Sequence, residues 1–358
     1  MRNWRQGRCI RPMDSTATIE MGARAQLDRL WARGREFLGC EAAVMGGAMT
    51  WVSERNLVSA ISEAGAFGVI ACGAMEPDRL ALEIAGTRAL TDRPFGVNLI
   101  TMHPQLDALI DVCGEMGVSH IVLAGGLPGR AAMRRVKGWG ARLVCFAPAL
   151  PLARKLLRDG ADALIVEGAE AGGHTGPVAT AVLAQEILPE IREVPVFVAG
   201  GIGRGEAVLA FLEMGASGCQ IGTRFAAAEE SIAHPRFKQA FLRGEARDAV
   251  LSQQVDPRFP VVPVRALAND ASRRFAAFQH EVIARHRAGE LGLKEAQLEI
   301  EHFWAGALRR AVIEGDVENG SVMAGQSVGM VKRIEPVSGI LDELCGQALS
   351  MLADRRCP

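Results

Sequence analysis

His174, set among glycines, is the residue in this 358-residue chain best suited to chemistry. It lies in EAGGHTG, residues 170–176, where an imidazole that titrates near neutrality can give or take a proton. The competing reading is a loop histidine hydrogen-bonded to backbone. The small residues around it, however, leave a surface shaped for a flat ligand. Two other glycine turns follow. GGIGRG, residues 200–205, contributes Gly200, Gly201 and Gly203, and IGTRF, residues 221–225, contributes Gly222, Thr223 and an arginine. Glycines permit positive φ and close backbone approach, so bare N–H groups there can meet a phosphate. GGIGRG is not a dinucleotide fingerprint, because Glu206 stands where a third glycine belongs. The other histidines show no HExxH pattern, and GxSxG is absent, so no metal site and no serine nucleophile is expected.

These turns need strands to carry them. Short apolar runs without polar alternation occur at 42–45, 67–71, 95–99, 120–123, 142–146, 163–166, 194–198 and 218–221. Such runs suit parallel strands covered on both faces. Helical segments separate them, near 54–64, 77–89, 104–116, 130–137, 179–191 and 206–214, with another ending at about 158. Strand–helix alternation with short connections implies right-handed crossovers and a parallel sheet. Eight such units predict a TIM (β/α)8 barrel; a doubly wound open sheet seldom reaches eight. In that barrel GGIGRG and IGTRF follow strands seven and eight, the usual phosphate position. Gly46 and Gly47, in GGAM, and Asn98 also fall at strand ends, where backbone and amide could face a planar heterocycle.

The flanks read differently. Residues 1–20 look unstructured, and the spacing of Leu27, Leu30, Trp31 and Phe37 predicts an amphipathic helix over 21–38, weakened by Gly34. After Phe225 the repeat breaks, and DPRFPVVPVRALAN is too irregular for a barrel unit. Helices follow over 271–287, 294–314 and 336–352. The expected division is a tail and helix over 1–38, the barrel core over 39–244, and a C-terminal helical lobe with a closing helix over 245–358.

A formal net charge of −1 gives no reason to expect nucleic acid or an anionic membrane as partner. No stretch approaches the ~20 apolar residues of a membrane helix. The eight cysteines have no CxxC spacing and several sit in apolar runs, as buried reduced thiols of a cytoplasmic protein would.

The motifs VEGAEAGGHTG, AGGIGRG, QIGTRF and GSVMAGQSVGMV, in that order, resemble the nitronate monooxygenase (2-nitropropane dioxygenase) family. They are equally similar to its relative, the flavin-dependent enoyl-ACP reductase II. The resemblance spans about residues 37–347 and implies a TIM barrel that binds FMN non-covalently. By motif it assigns FMN contacts to Asn98, Glu167, Gly172, Gly201, Gln220, Gly222 and Thr223, and makes His174 the base or proton donor. Glu167 departs from the glutamine typical of the monooxygenases and matches the reductases. The implied activity is oxidation of nitronates with O2 to carbonyl compounds and nitrite. The alternative takes NAD(P)H and an acyl carrier protein, and a catalytically idle phosphate-binding barrel is a third reading. A homodimer is compatible with each.

Overall fold

The computed structural model describes residues 13–355, except 74 and 262. Nine strands come in chain order first: β1 (Val44–Gly46), β2 (Gly68–Ala71), β3 (Phe95–Ile100), β4 (His120–Ala124), β5 (Arg142–Phe146), β6 (Ala163–Glu167), β7 (Gly173–His174), β8 (Val196–Ala199) and β9 (Gly218–Ile221). All but β7 form one parallel sheet, ordered β1-β9-β8-β6-β5-β4-β3-β2. A parallel bridge between Met45 and Phe67 joins its two edges. The sheet is therefore a closed eight-stranded barrel, the expected TIM fold, and closure leaves no free edge.

Alternation along the strands explains the hydrophobic runs. Met45, Phe67, Val69, Val122, Val144, Ala163, Ile165, Phe197 and Ala199 fill the interior. Their neighbours, among them Val44, Ile70, Val97, Leu99, Leu164, Val166 and Cys219, pack outward against the helices. Both faces are buried, so the strands are apolar over most of their length.

The N-terminal end of the barrel is plugged by a helix at Ala32–Leu38, whose Phe37 and Leu38 join the interior cluster. The ring of His120 meets Phe37 and Phe67 edge-on, and its Nε2 lies 2.8 Å from the Phe37 carbonyl oxygen. Burial lowers the pKa of this histidine to about 4, so it is neutral packing material. A longer helix, Met13–Leu30, precedes the plug, so helix begins before residue 21. Residues 1–12 lie outside the described residues. The break between the helices falls at Trp31. Gly34 is not a weak point, because a Cβ there would lie 2.0 Å from the Ser217 carbonyl oxygen. Glycine at that position lets the plug seat.

After the barrel, helices at Asp270–Arg287, Leu293–His302 and Ala307–Val312 form the expected lobe, and Val337–Asp354 closes the chain. Phe259, Phe275, Val282, Ile283, Ala296 and Ile300 give the lobe a small core of its own. Two further strands, β10 (Ala249–Leu251) and β11 (Val264–Leu267), were not expected from the irregular sequence around them. They form an antiparallel sheet with β7. The last helix packs on the helices Met13–Leu30 and Gly205–Glu213. The six cysteines among the described residues are free, and four of them are buried.

Candidate active site at the barrel mouth

The C-terminal ends of the strands carry nearly all the chemistry-bearing residues. Asn98, Glu167 and Gln220 occupy inward-facing positions in the alternation of β3, β6 and β9. Glu167 pairs with Ala199, Ala199 with Gln220, and Gln220 with Met45, so two of these side chains share one rim of the barrel. Asn98 donates its amide to the Val122 carbonyl oxygen at 3.3 Å. Glu167 and Gln220 have no side-chain hydrogen bond among the described residues. Every fully enclosed side-chain nitrogen or oxygen among the described residues is nevertheless satisfied. The polar ends of Glu167 and Gln220 therefore open toward the mouth. Burial alone pushes the Glu167 carboxyl up to about 8.

The turns above form a continuous rim. Gly47 donates its N–H to the Ile221 carbonyl oxygen at 2.9 Å, and a Cβ on Gly47 would stand 3.2 Å from the Gly222 Cα. Thr223 accepts the Gly325 N–H at 3.0 Å, and a Cβ on Gly172 would lie 2.5 Å from that same nitrogen. Gly200 and Gly201 both have positive φ, and a Cβ on Gly201 would come 2.9 Å from the Cβ of Glu170. The Glu170 carboxylate accepts from the Thr180 N–H and hydroxyl, each at 2.8 Å, fixing the start of the helix Thr180–Ile187. Backbone N–H groups at Gly201, Ile202, Gly203 and Gly222 donate to no atom of the described residues. Neighbouring turns with free donors make a receptor for an anion.

His174 sits on β7, paired with Val264 of β11. Its ring is exposed at the mouth and makes no hydrogen bond among the described residues. The backbone-bonded loop histidine weighed above is therefore not what forms. The surrounding surface still lowers its pKa by desolvation, which favours the neutral, proton-accepting ring.

One expected residue stands apart. Gly46 points outward, where a Cβ would meet Ile61 of the helix Arg55–Glu63 at 2.8 Å. Gly203 lies under the late segment, with a Cβ position 2.6 Å from the Met330 sulfur. The arginine of IGTRF also turns away. Arg224 donates to the Gly203 carbonyl oxygen at 2.9 Å and pairs with Glu335 and Glu343 at 3.0 and 2.6 Å. The sequence reading missed Arg265, a buried residue that donates to the carbonyl oxygens of Ala169 and Ala249. It staples the histidine loop to β10 and β11. The only signal was a charge inside the apolar VPVRAL. Among the described residues no three His, Cys, Asp or Glu side chains form a metal-sized cluster.

The family model for nitronate monooxygenase matches residues 33–347. The chain belongs to the nitronate monooxygenase family. It is an oxidoreductase of that type. It is 30% identical over 346 residues to a (3aS,4S,5R,7aS)-5-hydroxy-7a-methyl-1-oxo-octahydro-1H-indene-4-carboxyl-CoA dehydrogenase of Mycobacterium tuberculosis, covering 88% of this chain and 96% of that protein. It is 29% identical to a nitronate monooxygenase of Paraburkholderia phytofirmans, covering 65% of this chain and 75% of that one. Among solved structures, FabK of Thermotoga maritima superposes with a TM-score of 0.82 at 35% identity, over 90% of this chain and 98% of FabK.

Proposed function

We propose that the protein is an FMN-dependent oxidoreductase that oxidises nitroalkanes or their nitronates with O2, and that His174 is its base. The carrying observation is the unbonded His174 ring, kept neutral by desolvation at the rim of a polar-bottomed mouth. The residues fit the cofactor. Free N–H groups at Gly201, Ile202, Gly203 and Gly222 suit a dianionic phosphate. Gly47, Gly172 and Gly200 keep the rim thin, and Thr223 sets its height by holding Gly325. Asn98, Glu167 and Gln220 offer hydrogen bonds to a polar heterocycle. Bound FMN supplies two-electron redox chemistry and, when reduced, reactivity toward O2.

The protein's own part is proton handling. A C–H bond beside a nitro group breaks, its proton passes to a ring nitrogen of His174, and the electron pair stays on the resulting nitronate. A positioned base of this kind contributes ~10²–10⁴-fold. With a preformed nitronate no proton need be taken, and the neutral ring can donate its one N–H to the anion. The net products are a carbonyl compound and nitrite.

A second reading, oxidoreduction of an acyl thioester with NAD(P)H, has its own support. The carboxyl-CoA dehydrogenase is similar over more of this chain than the nitronate monooxygenase is. Residue 167 is also glutamate, not the glutamine typical of monooxygenases. Anaerobic mixing of FMN-loaded protein separates the two. Flavin bleaching by propyl nitronate, with nitrite formed on admitting O2, supports the first reading. Fast bleaching by NADH or NADPH, with reoxidation by an enoyl thioester, replaces it with the second. Protein that stays colourless after FMN is added sinks both.

A further inference from the structure

The small sheet that carries His174 is built inside out. Along β11 the alternation puts Arg265 and Leu267 on one face and Val264 and Ala266 on the other. Arg265 and Leu267 are buried, as is Ala249, the partner of Leu267 on β10. The one charge of the strand therefore points into the molecule, where it donates to the Ala169 and Ala249 carbonyl oxygens. The other face is open. Residues paired directly across strands share a face, so His174 stands beside Val264, and Ala266 beside Val250, with Cβ atoms ~5 Å apart in each pair. Val264 and Ala266 are half-buried and Val250 is 39% exposed. Apart from His174, the open face of β7, β10 and β11 carries no polar side chain. A sheet face turned to water is ordinarily polar. Here it is an apolar strip that starts at His174 and ends on the edge strand β10. A strand spacing of ~4.8 Å and a rise of ~3.4 Å per residue make the strip roughly 12 Å long.

We propose that this strip receives the apolar chain of the substrate, so that the enzyme prefers nitronates with a medium-length alkyl chain to those of nitroethane or nitropropane. The inference rests on the nitronate reading above and deepens it. With the reacting carbon at the His174 ring, the chain meets Val264, the histidine's own strand partner, and continues over Ala266 to Val250. These side chains offer far less than the ~800 Å² that each side of a protein–protein interface buries, so the occupant is a small molecule. A methylene laid on an open strip leaves water on one side only. Full burial of a methylene is worth roughly fourfold in affinity, so each one here adds about twofold.

The test is kcat/KM of the FMN-loaded protein with preformed nitronates from nitroethane to 1-nitrooctane, read as nitrite formed in air. Wild type is expected to gain about twofold per methylene, about 60-fold over the series. Val250→Asn removes the far end of the strip and should lower the ratio of 1-nitrooctane to nitroethane about four- to eightfold. Leu251, its exposed neighbour on β10, is paired with Arg265 and so belongs to the other face. Leu251→Asn should leave that ratio unchanged. A readout without turnover is calorimetry with alkyl carboxylates, which share the planar anionic end of a nitronate. Octanoate should bind about 30-fold tighter than propanoate, with a negative heat-capacity change. Nitronate oxidation that ignores chain length, or octanoate that binds no tighter than propanoate, overturns the inference and leaves the proposed activity standing. An equal fall of the ratio in both variants also overturns it, because only one of them lies on the histidine's face. Nitronates of every length left unreacted by FMN-loaded protein overturn the proposed activity and the inference together.

Discussion

At the scale of single residues, the site depends on which side chains are already occupied. His174 is free and Arg224 is not, although both lie in turns whose sequences advertise function. Replacing His174 by alanine should lower turnover ~10²–10⁴-fold while the flavin spectrum is retained. Loss of FMN in that variant would make the histidine structural. The pH profile gives a second check. Desolvation lowers the pKa of His174, so the neutral ring persists below the ordinary value of about 6.5. The acid limb of kcat/KM in wild type should therefore lie below 6.5. A limb above 7 would assign the base elsewhere. The sequence made His174 and the free glycine donors legible, because a lone histidine among glycines and a strand–turn–helix glycine run are local signals. The commitments of Arg224 and Arg265 were not legible. Their partners lie far off in the chain, and an arginine reads the same whether it binds a ligand or holds two segments together.

At the scale of elements, the eight barrel strands were legible because burial on both faces leaves short continuous apolar runs that alternate with helical segments. The sheet that holds His174 was not. β7 has two residues, and β10 and β11 are separated by a proline-rich excursion. Their pairing comes from tertiary contact, not from local propensity. Glycines that only look permissive proved to be contact points. Gly205 opens the helix Gly205–Glu213 directly beneath the last helix, and a Cβ there would stand 1.8 Å from the Leu344 carbonyl oxygen. Gly205→Ala must push two helices apart and should cost about 1–3 kcal/mol in urea unfolding. An unchanged midpoint would show that this packing is looser than described.

At the scale of the whole molecule, the mouth is assembled from both ends of the sequence. Gly325 and Gln326 complete the rim by bonding Thr223 and the Glu170 carbonyl oxygen. The last helix then locks the GGIGRG turn through Arg224 and accepts the Gly205 N–H on Gln347. Arg224→Met removes a buried cation and leaves the Glu335 and Glu343 carboxylates with only the exposed Arg333 beside them. It should lower unfolding stability by about 3–5 kcal/mol and weaken FMN binding as well. A loss of stability with full cofactor affinity would separate the lock from the GGIGRG turn's proposed role. The same interleaving has a practical side. Burial pushes the thiols of Cys40, Cys145 and Cys219 up to about 12 and that of Cys72 up to about 11, and raises Cys113 and Cys345 as well. A maleimide meets almost no thiolate at these positions while the barrel is shut, so each alkylated peptide, mapped by mass, dates the opening of its own sector and turns six dispersed cysteines into a set of clocks.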